Sequence, residues 1–191
     1  MFELKRKTLH LSAAFYLIFY WLVFTIFESH QIAMLFSLSI LLIFLAAEYF
    51  RIREKKRIPV IHVFFRAKEE NTLGGQVYMI IGILLAVGLF EFRIAVAAIL
   101  MMIFGDFAAA IFGIAFGKHW IKQLNETAWE GIFAELIVDV IIGLILLKPI
   151  IAIPMAITAT LVETTLPHVD DNLAIPVFAG FVGQGLRLLF P

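Results

Sequence analysis

The chain has 191 residues, of which 62% are hydrophobic and 16% are charged, with no cysteine and a formal net charge of zero. Soluble domains have about 45–50% apolar and roughly 25% charged residues. A chain of this length could not bury the apolar surplus, because small domains bury only about 70% of their surface. The composition therefore excludes a soluble globule, a disordered chain and a disulfide-stapled secreted module, and it predicts a protein embedded in a bilayer. The lack of cysteine also excludes thiol catalysis and cysteine-ligated metal sites.

Apolar runs recur along the chain, and about 20 apolar residues are needed to cross a bilayer as a helix. The candidate spans in chain order are Leu9–Phe27, Ile32–Tyr49, Gln76–Phe90, Ile94–Phe116, Gly131–Leu147, Ile150–Val162 and Leu173–Phe190. The sixth is short and carries Pro154, so the alternative is six spans with a tilted or re-entrant sixth segment. The pattern predicts an all-α, polytopic membrane helical bundle of about seven spans, forming one domain over residues 1–191.

The cations are unevenly distributed among the connecting segments. With seven spans, twelve Lys and Arg residues lie before the first span or in the second-to-third and fourth-to-fifth loops. The opposite loops carry two, Arg93 and Lys148. Because cytoplasmic loops carry the excess of Lys and Arg, we expect a cytoplasmic N-terminus and cytoplasmic loops near 51–73, 117–130 and 163–172. The membrane would be the cell membrane in a prokaryote and the endoplasmic reticulum in a eukaryote.

Several acids lie inside apolar runs, where a charge costs about 2.5–3.5 kcal/mol on insertion scales. Asp106 is the clearest case, about 16 Å from either end of its span if the helix is straight. It is either a hydrogen-bonded structural residue or a carboxylate that faces a water-filled cavity. Glu135 and Asp139 share one helical face, where helix packing is the alternative role. Glu130 begins the same helix, and a carboxylate there is also favourable with the helix dipole.

Asp170, Asp171 and Asn172 directly precede the last span. An N-cap role explains one of the three, but it does not require three in a row. With seven spans, this triplet emerges on the same side as the cationic loops. Carboxylates and cations would then share one membrane face, as a metal–nucleotide site requires.

The N-terminal segment has Glu3, Arg6, Lys7 and His10 at helical spacing. Positive-inside anchoring explains the two cations without any function, and a structural role is the alternative for His10. No Walker motif, GxGxxG, HExxH or nucleophile elbow is present, which disfavours the common soluble nucleotide-binding folds.

Five groups of residues, taken in chain order, resemble the motifs of the polyprenol kinases, the CTP-using lipid-alcohol kinases that include dolichol kinase and phytol kinase. The groups are Glu3-Leu-Lys-Arg-Lys7-Thr-Leu-His10 with Glu48…Arg51, Phe65-Arg66…Glu70 with Leu73-Gly74-Gly75, Gly105-Asp106-Phe-Ala108-Ala-Ala110-Ile-Phe-Gly113-Ile-Ala-Phe-Gly117-Lys118, Trp129-Glu130-Gly131, and Asp171-Asn172-Leu-Ala-Ile-Pro176. The third group is similar to the GD-xx-A-xxxx-G-xxx-GK core that these kinases share with the phosphatidate cytidylyltransferases. The C-terminal Pro-Gly-His-Gly-Gly run of the cytidylyltransferases is absent here.

The resemblance implies a membrane kinase that transfers the terminal phosphate of CTP to an isoprenoid alcohol such as dolichol, in the bilayer and without nucleic acid. The catalytic residues that we expect are Asp106, Glu130, Asp171 and His10. Asp106 and Asp171 would face Mg²⁺ or another divalent cation. The residues expected to bind nucleotide or phosphate are Arg6, Lys7, Arg66, Gly74, Gly105, Gly113, Gly117, Lys118, Lys122, Gly131 and Asn172. The sequence leaves open whether the protein forms a homodimer.

One element departs from the family pattern. Thr127-Ala128 stands where the kinases have Lys-Thr before their x-Glu-Gly element. Either Lys118 or Lys122 supplies that cation, or the nucleotide contact differs. Two other functions are open at this point: a CTP-dependent cytidylyltransferase acting on a lipid phosphate, and a small ion-coupled transporter whose buried acids bind protons or cations.

Overall fold

The computed structural model describes residues 2–54, 72–121, 127–166 and 169–190, without the side chains of residues 2–12 and 54. Within these ranges the chain is helical apart from one small hairpin and short links. The elements are α1 (Phe2–Phe27), α2 (His30–Glu54), α3 (Gly75–Leu89), α4 (Phe92–Leu100), a π-helical turn (Met101–Gly105), α5 (Asp106–Phe116), β1 (Trp120–Ile121), β2 (Thr127–Ala128), α6 (Trp129–Leu146), α7 (Pro149–Thr165) and α8 (Asp171–Leu189). The two strands pair antiparallel, with Trp120 opposite Ala128.

Each of the predicted apolar segments is helical, so the prediction of a helical architecture is confirmed. Among the described residues, three helices are long and apolar enough to cross a membrane: His30–Arg53, Phe92–Phe116 and Asp171–Leu189. Shorter apolar helices cover Ala13–Phe27, Gly75–Leu89 and Pro149–Thr165. Pro154 lies inside α7 without ending it. The number of crossings and their orientation stay predictions.

Many alanines are fully buried inside the bundle, while many large apolar side chains face outward. The alanines that are fully buried are Ala13, Ala33, Ala86, Ala95, Ala97, Ala98, Ala152, Ala156, Ala159 and Ala179. By contrast, Phe15, Ile43, Ile145 and Leu188 are 68–75% exposed. Small residues let membrane helices approach closely, and about forty large apolar side chains are exposed among the described residues. The surface is thus compatible with a helical membrane protein.

The rod formed by α4, the π-helical turn and α5 passes through the centre of the bundle. Its most buried stretch comprises Ile94, Ala95, Ala97, Ala98, Ile99, Met101, Met102 and Ile103, all at most 1% exposed. The rod packs against α6 and α8 and also contacts α1, α3 and α7. Asp106 therefore begins α5 at the point where the central rod leaves this apolar core.

The bundle has one end where α2 and α7 finish and α3 and α8 begin, which we call the acidic end. Gly75, the first residue of α3, lies beside Asn172: a Cβ atom at Gly75 would be 3.4 Å from the Asn172 Nδ2 atom. A two-residue turn joins α1 to α2 at the opposite end, where the Tyr20 hydroxyl is 2.7 Å from His30 Nδ1. Since α1 and α2 pack together along the bundle, the N-terminus of α1 also lies at the acidic end.

Candidate functional site

Three carboxylates from three different helices meet at the acidic end: Asp106 of α5, Glu163 of α7 and Asp171 of α8. One ligand-capable oxygen from each lies within 4.8 Å of the other two. Asp106 is only 1% exposed, while Glu163 and Asp171 are half-buried. We call this group the carboxylate cluster. It brings together Asp106 and Asp171, which the sequence analysis had placed on one metal-facing site.

The π-helical turn sets the position of Asp106. The turn covers Met101–Gly105, and Asp106 is the first residue after it. Such turns occur mostly as single insertions within α-helices and frequently lie at functional sites. A Cβ atom at Gly105 would overlap the Asp139 carboxylate, so the glycine lets α6 approach the rod beside Asp106.

The start of α8 shows which residue of the Asp170-Asp171-Asn172 triplet acts as the N-cap. The Asp170 Oδ1 atom accepts from the Asn172 backbone N–H at 3.2 Å and from Asn172 Nδ2 at 2.7 Å. Asp171 Oδ1 also accepts from the Asn172 backbone N–H, at 2.9 Å. The N-cap role thus falls to Asp170, and Asp171 contributes to the carboxylate cluster. Asn172 is 3% exposed, and its Oδ1 atom has no hydrogen-bond donor among the described residues.

Asp139 of α6 is a further buried acid beside the cluster. It is fully buried, and within the described ranges neither of its carboxylate oxygens has a hydrogen-bond donor. Glu163 is the charged group that interacts with it, and Thr160 lies close by. The Thr160 hydroxyl donates to the Ala156 carbonyl at 3.1 Å, so its proton is already used. A fully buried carboxylate without donors is costly.

Glu130 is engaged by His119 at the start of α6. Its Oε1 atom lies 2.8 Å from His119 Nδ1, and its Oε2 atom accepts from the His119 backbone N–H at 3.4 Å. The side-chain hydrogen bond with His119, followed by backbone N–H groups, lowers the pKa of the Glu130 carboxyl to about 2. The backbone N–H of Trp129 also donates to the His119 carbonyl, at 3.1 Å. Glu130 thus closes the hairpin onto α6, and it is not one of the carboxylates in the cluster.

Several of the glycines expected to cradle phosphate lie where helices approach each other closely. A Cβ atom at Gly131 would be 2.7 Å from the Ala109 carbonyl oxygen, and the Gly113 Cα atom would be 3.4 Å away. Gly117 lies against the hairpin, where a Cβ atom would be 3.0 Å from Ala128 Cβ. Together with the contact of Gly105 with Asp139, these approaches align α5 antiparallel to α6.

Gly74 takes part in a network that joins α2 to α3. Its backbone N–H donates to Glu48 Oε2 at 3.1 Å. Arg51 binds the same carboxylate through Nε at 3.1 Å and Nη2 at 2.6 Å, and its Nη2 atom also donates to the Thr72 carbonyl at 2.6 Å. Glu48 is 5% exposed. This buried clamp fixes the segment that leads into α3, whose first residue lies beside Asp170 and Asn172.

The other predicted cations are not brought to the cluster by described contacts. Lys118 is exposed and lies two residues beyond the end of α5, more than about 15 Å along the helix from Asp106. The side chains of Arg6, Lys7 and His10 lie outside the described residues. Arg66 and Lys122 also lie outside them.

Sequence analysis did not single out Glu163 as a site residue. It belongs to no recognisable motif, and it lies one residue beyond the sixth apolar segment. The available signal was the short link to Asp171, eight residues later, because two packed antiparallel helices bring the residues that flank their link together. Asp139 gave a clearer signal as an acid in an apolar run.

The chain matches no known family model, no curated protein and no solved structure. Its relation to the polyprenol kinases is therefore a resemblance of motifs, and any function has to be argued from the residues themselves.

Proposed function

We propose that this protein is a membrane lipid kinase that transfers the terminal phosphate of a nucleoside triphosphate, CTP by resemblance, to an isoprenoid alcohol such as dolichol. The product would be the polyprenyl monophosphate. The observation that carries the proposal is the meeting of Asp106, Glu163 and Asp171 within 4.8 Å. Asp106 and Asp171 come from two separate motifs of the family resemblance. Their proximity supports a shared role for the two motifs in binding one divalent cation.

The donor set of the cluster suits a hard divalent cation. Mg²⁺ prefers oxygen ligands and is usually bound through one or two carboxylates together with substrate phosphates. Asp106 and Asp171 would hold it, with Glu163 as a third carboxylate. The ion would supply charge neutralisation at the phosphate oxygens, which together with positioning accounts for most of the catalysis of phosphoryl transfer.

The position of the cluster suits a reaction between a lipid and a water-soluble nucleotide. Asp106 lies about 15 Å from the end of the central rod, while Asp171 is the first residue of α8 and Glu163 lies two residues before the end of α7. The acidic end also carries Arg51 and Arg53 in the last turn of α2 and, in the sequence, residues 5–7 at the start of α1. Such cations favour a cytoplasmic location for this end, from which a nucleotide would enter while the acyclic tail of the alcohol stays in lipid.

The protein's own residues have distinct tasks in this proposal. The carboxylate cluster positions the cation, and the Glu48–Arg51 clamp together with the Asp170 cap holds the starts of α3 and α8 in register beside it. The large apolar surface of the bundle keeps the alcohol's chain in the bilayer. Glu130 is proposed to hold the hairpin, since its carboxylate is engaged by His119.

The test uses the purified full chain in lipid nanodiscs with a panel of isoprenoid alcohols, Mg²⁺, and CTP labelled separately at the α- and γ-phosphates. The kinase predicts γ-label in the lipid and release of CDP. Transfer of α-label together with cytidine would instead identify a cytidylyltransferase, for which a lipid phosphate is added as acceptor. Ion flux in liposomes without nucleotide consumption would identify a transporter, and either result would overturn the kinase.

A further inference from the structure

The hairpin between α5 and α6 carries two of the three tryptophans of the chain, and the proposed reaction gives neither of them a task. Trp120 lies in β1 and is 51% exposed, while Trp129 begins α6 and is 49% exposed. The exposed side chains of Lys118 and His119 directly precede Trp120. The hairpin therefore presents large aromatic rings outward, next to polar side chains.

Contacts within the hairpin hold the two indole rings in place. The Trp120 Nε1 atom donates to the Gly117 carbonyl at 3.2 Å, which fixes this ring against the end of α5. The Trp129 backbone N–H donates to the His119 carbonyl at 3.1 Å. Because Trp120 pairs with Ala128, the residue before Trp129, the two tryptophans lie at the same level of the hairpin.

The outer surface of α5 and α6 between the carboxylate cluster and the hairpin is apolar. Over residues 107–116 and 131–138, the exposed side chains are Phe112, Ile114, Ala115, Phe116, Phe133 and Ile137. If the membrane ended at Asp106, about 15 Å short of the hairpin along α5, these side chains would face water. Removing apolar surface from water is favourable, so this surface favours lipid along both helices up to the hairpin.

The length of α6 agrees with this placement. Its 18 residues give a helix of about 27 Å, close to the roughly 30 Å of the hydrocarbon core of a bilayer. The exposed Lys148 lies two residues beyond its far end. The central rod, Phe92–Phe116, is also long and apolar enough to cross a membrane. A charged side chain and the hairpin thus lie at the two boundaries of an apolar helix.

We propose that the hairpin anchors the protein in the headgroup layer of the bilayer, with the indole rings of Trp120 and Trp129 among the lipid headgroups. Tryptophan is enriched at this level because it combines an apolar ring with a polar N–H. Lys118 adds a cation that anionic lipids attract. The partner of this surface is the phospholipid interface itself. The inference goes beyond the proposed function and does not depend on the reaction at the cluster.

The test measures the depth of the hairpin tryptophans by fluorescence quenching of the full chain in nanodiscs. The lipid carries a nitroxide at the headgroup, near the start of an acyl chain or near its end. Trp21→Phe removes the third tryptophan, which lies in α1. We expect the headgroup nitroxide to quench the remaining fluorescence about twofold more strongly than the nitroxide near the chain end.

Three results would overturn the inference. Strongest quenching by the nitroxide near the chain end would place the hairpin in the hydrocarbon core. Quenching by aqueous acrylamide without quenching by any lipid nitroxide would place it in water. The absence of quenching by either kind of reagent would show that protein, such as a second copy of the chain, covers the two rings.

Phe104→Trp is the matched control for depth. Phe104 is 38% exposed in the central rod, and it lies about 18 Å from Phe116 along the helix. The substitution is made in a chain that also carries Trp21→Phe, Trp120→Phe and Trp129→Phe. Here the nitroxide near the chain end should quench most strongly. The same order of quenching as for the hairpin would contradict the proposed geometry.

A second comparison guards against a folding failure of these variants. Trp120→Phe and Trp129→Phe, each made singly in the native chain, give the depth of the lost tryptophan by difference, with native helical circular dichroism as the criterion of folding. The depth is also independent of phosphoryl transfer. A chain with its hairpin at the headgroups that phosphorylates no alcohol would refute the kinase alone, while an active kinase with its hairpin at another depth would refute this inference alone.

Discussion

Seven of the described acids lie in two kinds of surroundings. Towards the ends of the bundle, each is paired with a basic group: Glu48 with Arg51, Glu91 with Arg187, and Glu130 with His119. Beside the central rod, Asp106, Asp139, Glu163 and Asp171 lie close to one another. Paired acids hold elements of the fold together. The acids beside the rod bring carboxylates from several helices together, which is the feature on which the proposed function rests.

The largest expected effect comes from breaking the carboxylate cluster itself. Asp106→Asn should lower transfer of the γ-phosphate to a polyprenol by more than about a thousandfold, equivalent to about 4 kcal/mol of barrier, because a carboxylate ligand of the cation is lost. The measurement is labelled lipid formed by the purified variant. Glu91→Gln is the control, since Glu91 pairs with Arg187 at the opposite end, and normal activity in Asp106→Asn would refute the site.

Removing the basic partner of a buried acid should cost more stability than activity. Arg51→Met leaves the carboxylate of Glu48, which is 5% exposed, without its guanidinium, and we expect a loss of about 3 kcal/mol in the free energy of unfolding. Thermal or denaturant unfolding in detergent measures this loss. The clamp contacts the start of α3 and not the carboxylate cluster. Binding of a divalent cation such as Mn²⁺ to the cluster should therefore survive at temperatures where the variant is folded. An unchanged unfolding midpoint would show that the clamp is dispensable.

The contact between the central rod and Asp139 can be tested by adding one methyl group. Gly105→Ala overlaps the Asp139 carboxylate, and overpacking of this kind costs about 1–3 kcal/mol. Gly185→Ala is the matched control, because no atom lies within 4 Å of the position that its Cβ would take. Alanine in a helix is more favourable than glycine by up to about 1 kcal/mol. The two substitutions should therefore shift the unfolding midpoint in opposite directions.

The smallest effect is expected at the exposed ion pair on the far end. The Arg187 Nε atom lies 3.1 Å from Glu91 Oε2, with both side chains more than one third exposed. Such pairs contribute about 0.2–1 kcal/mol and are screened by salt. Arg187→Gln should lower the unfolding midpoint slightly at low ionic strength and not measurably at high ionic strength. A large, salt-independent loss would place this pair in the same class as the buried clamp.

The helices could be predicted from sequence because membrane-length apolar runs are a strong signal. Every predicted run, from Leu9–Phe27 to Leu173–Phe190, falls in a helix. The meeting of Asp106 and Asp171 agrees with the prediction that the family resemblance gave for these two motif residues. Glu163 could not be assigned a role in the same way, because its part in the site depends on how α7 and α8 pack.

The glycines show the limit of reading chemistry from residue type. A glycine that lets a backbone approach phosphate and one that lets two helices touch have the same spacing in the sequence. Gly113 and Gly131 turn out to face one another across α5 and α6. Glu130 presents the same difficulty, since its partner His119 lies eleven residues away on the other side of the hairpin. The three-dimensional contacts add the helix packing of these glycines and the pairing of Glu130 with His119, neither of which the sequence pattern indicated.

The π-helical turn determines which neighbouring helices the two halves of the central rod contact. The extra residue in Met101–Gly105 rotates everything after it by about 100° relative to an uninterrupted α-helix. In consequence α4 packs mainly on α8, while α5 packs mainly on α6. Deleting a single residue from this turn would restore a regular helix, keep its length and hydrophobicity nearly unchanged, and swing Asp106 away from Glu163 and Asp171. The orientation of the central acid thus depends on one inserted residue in an otherwise apolar rod.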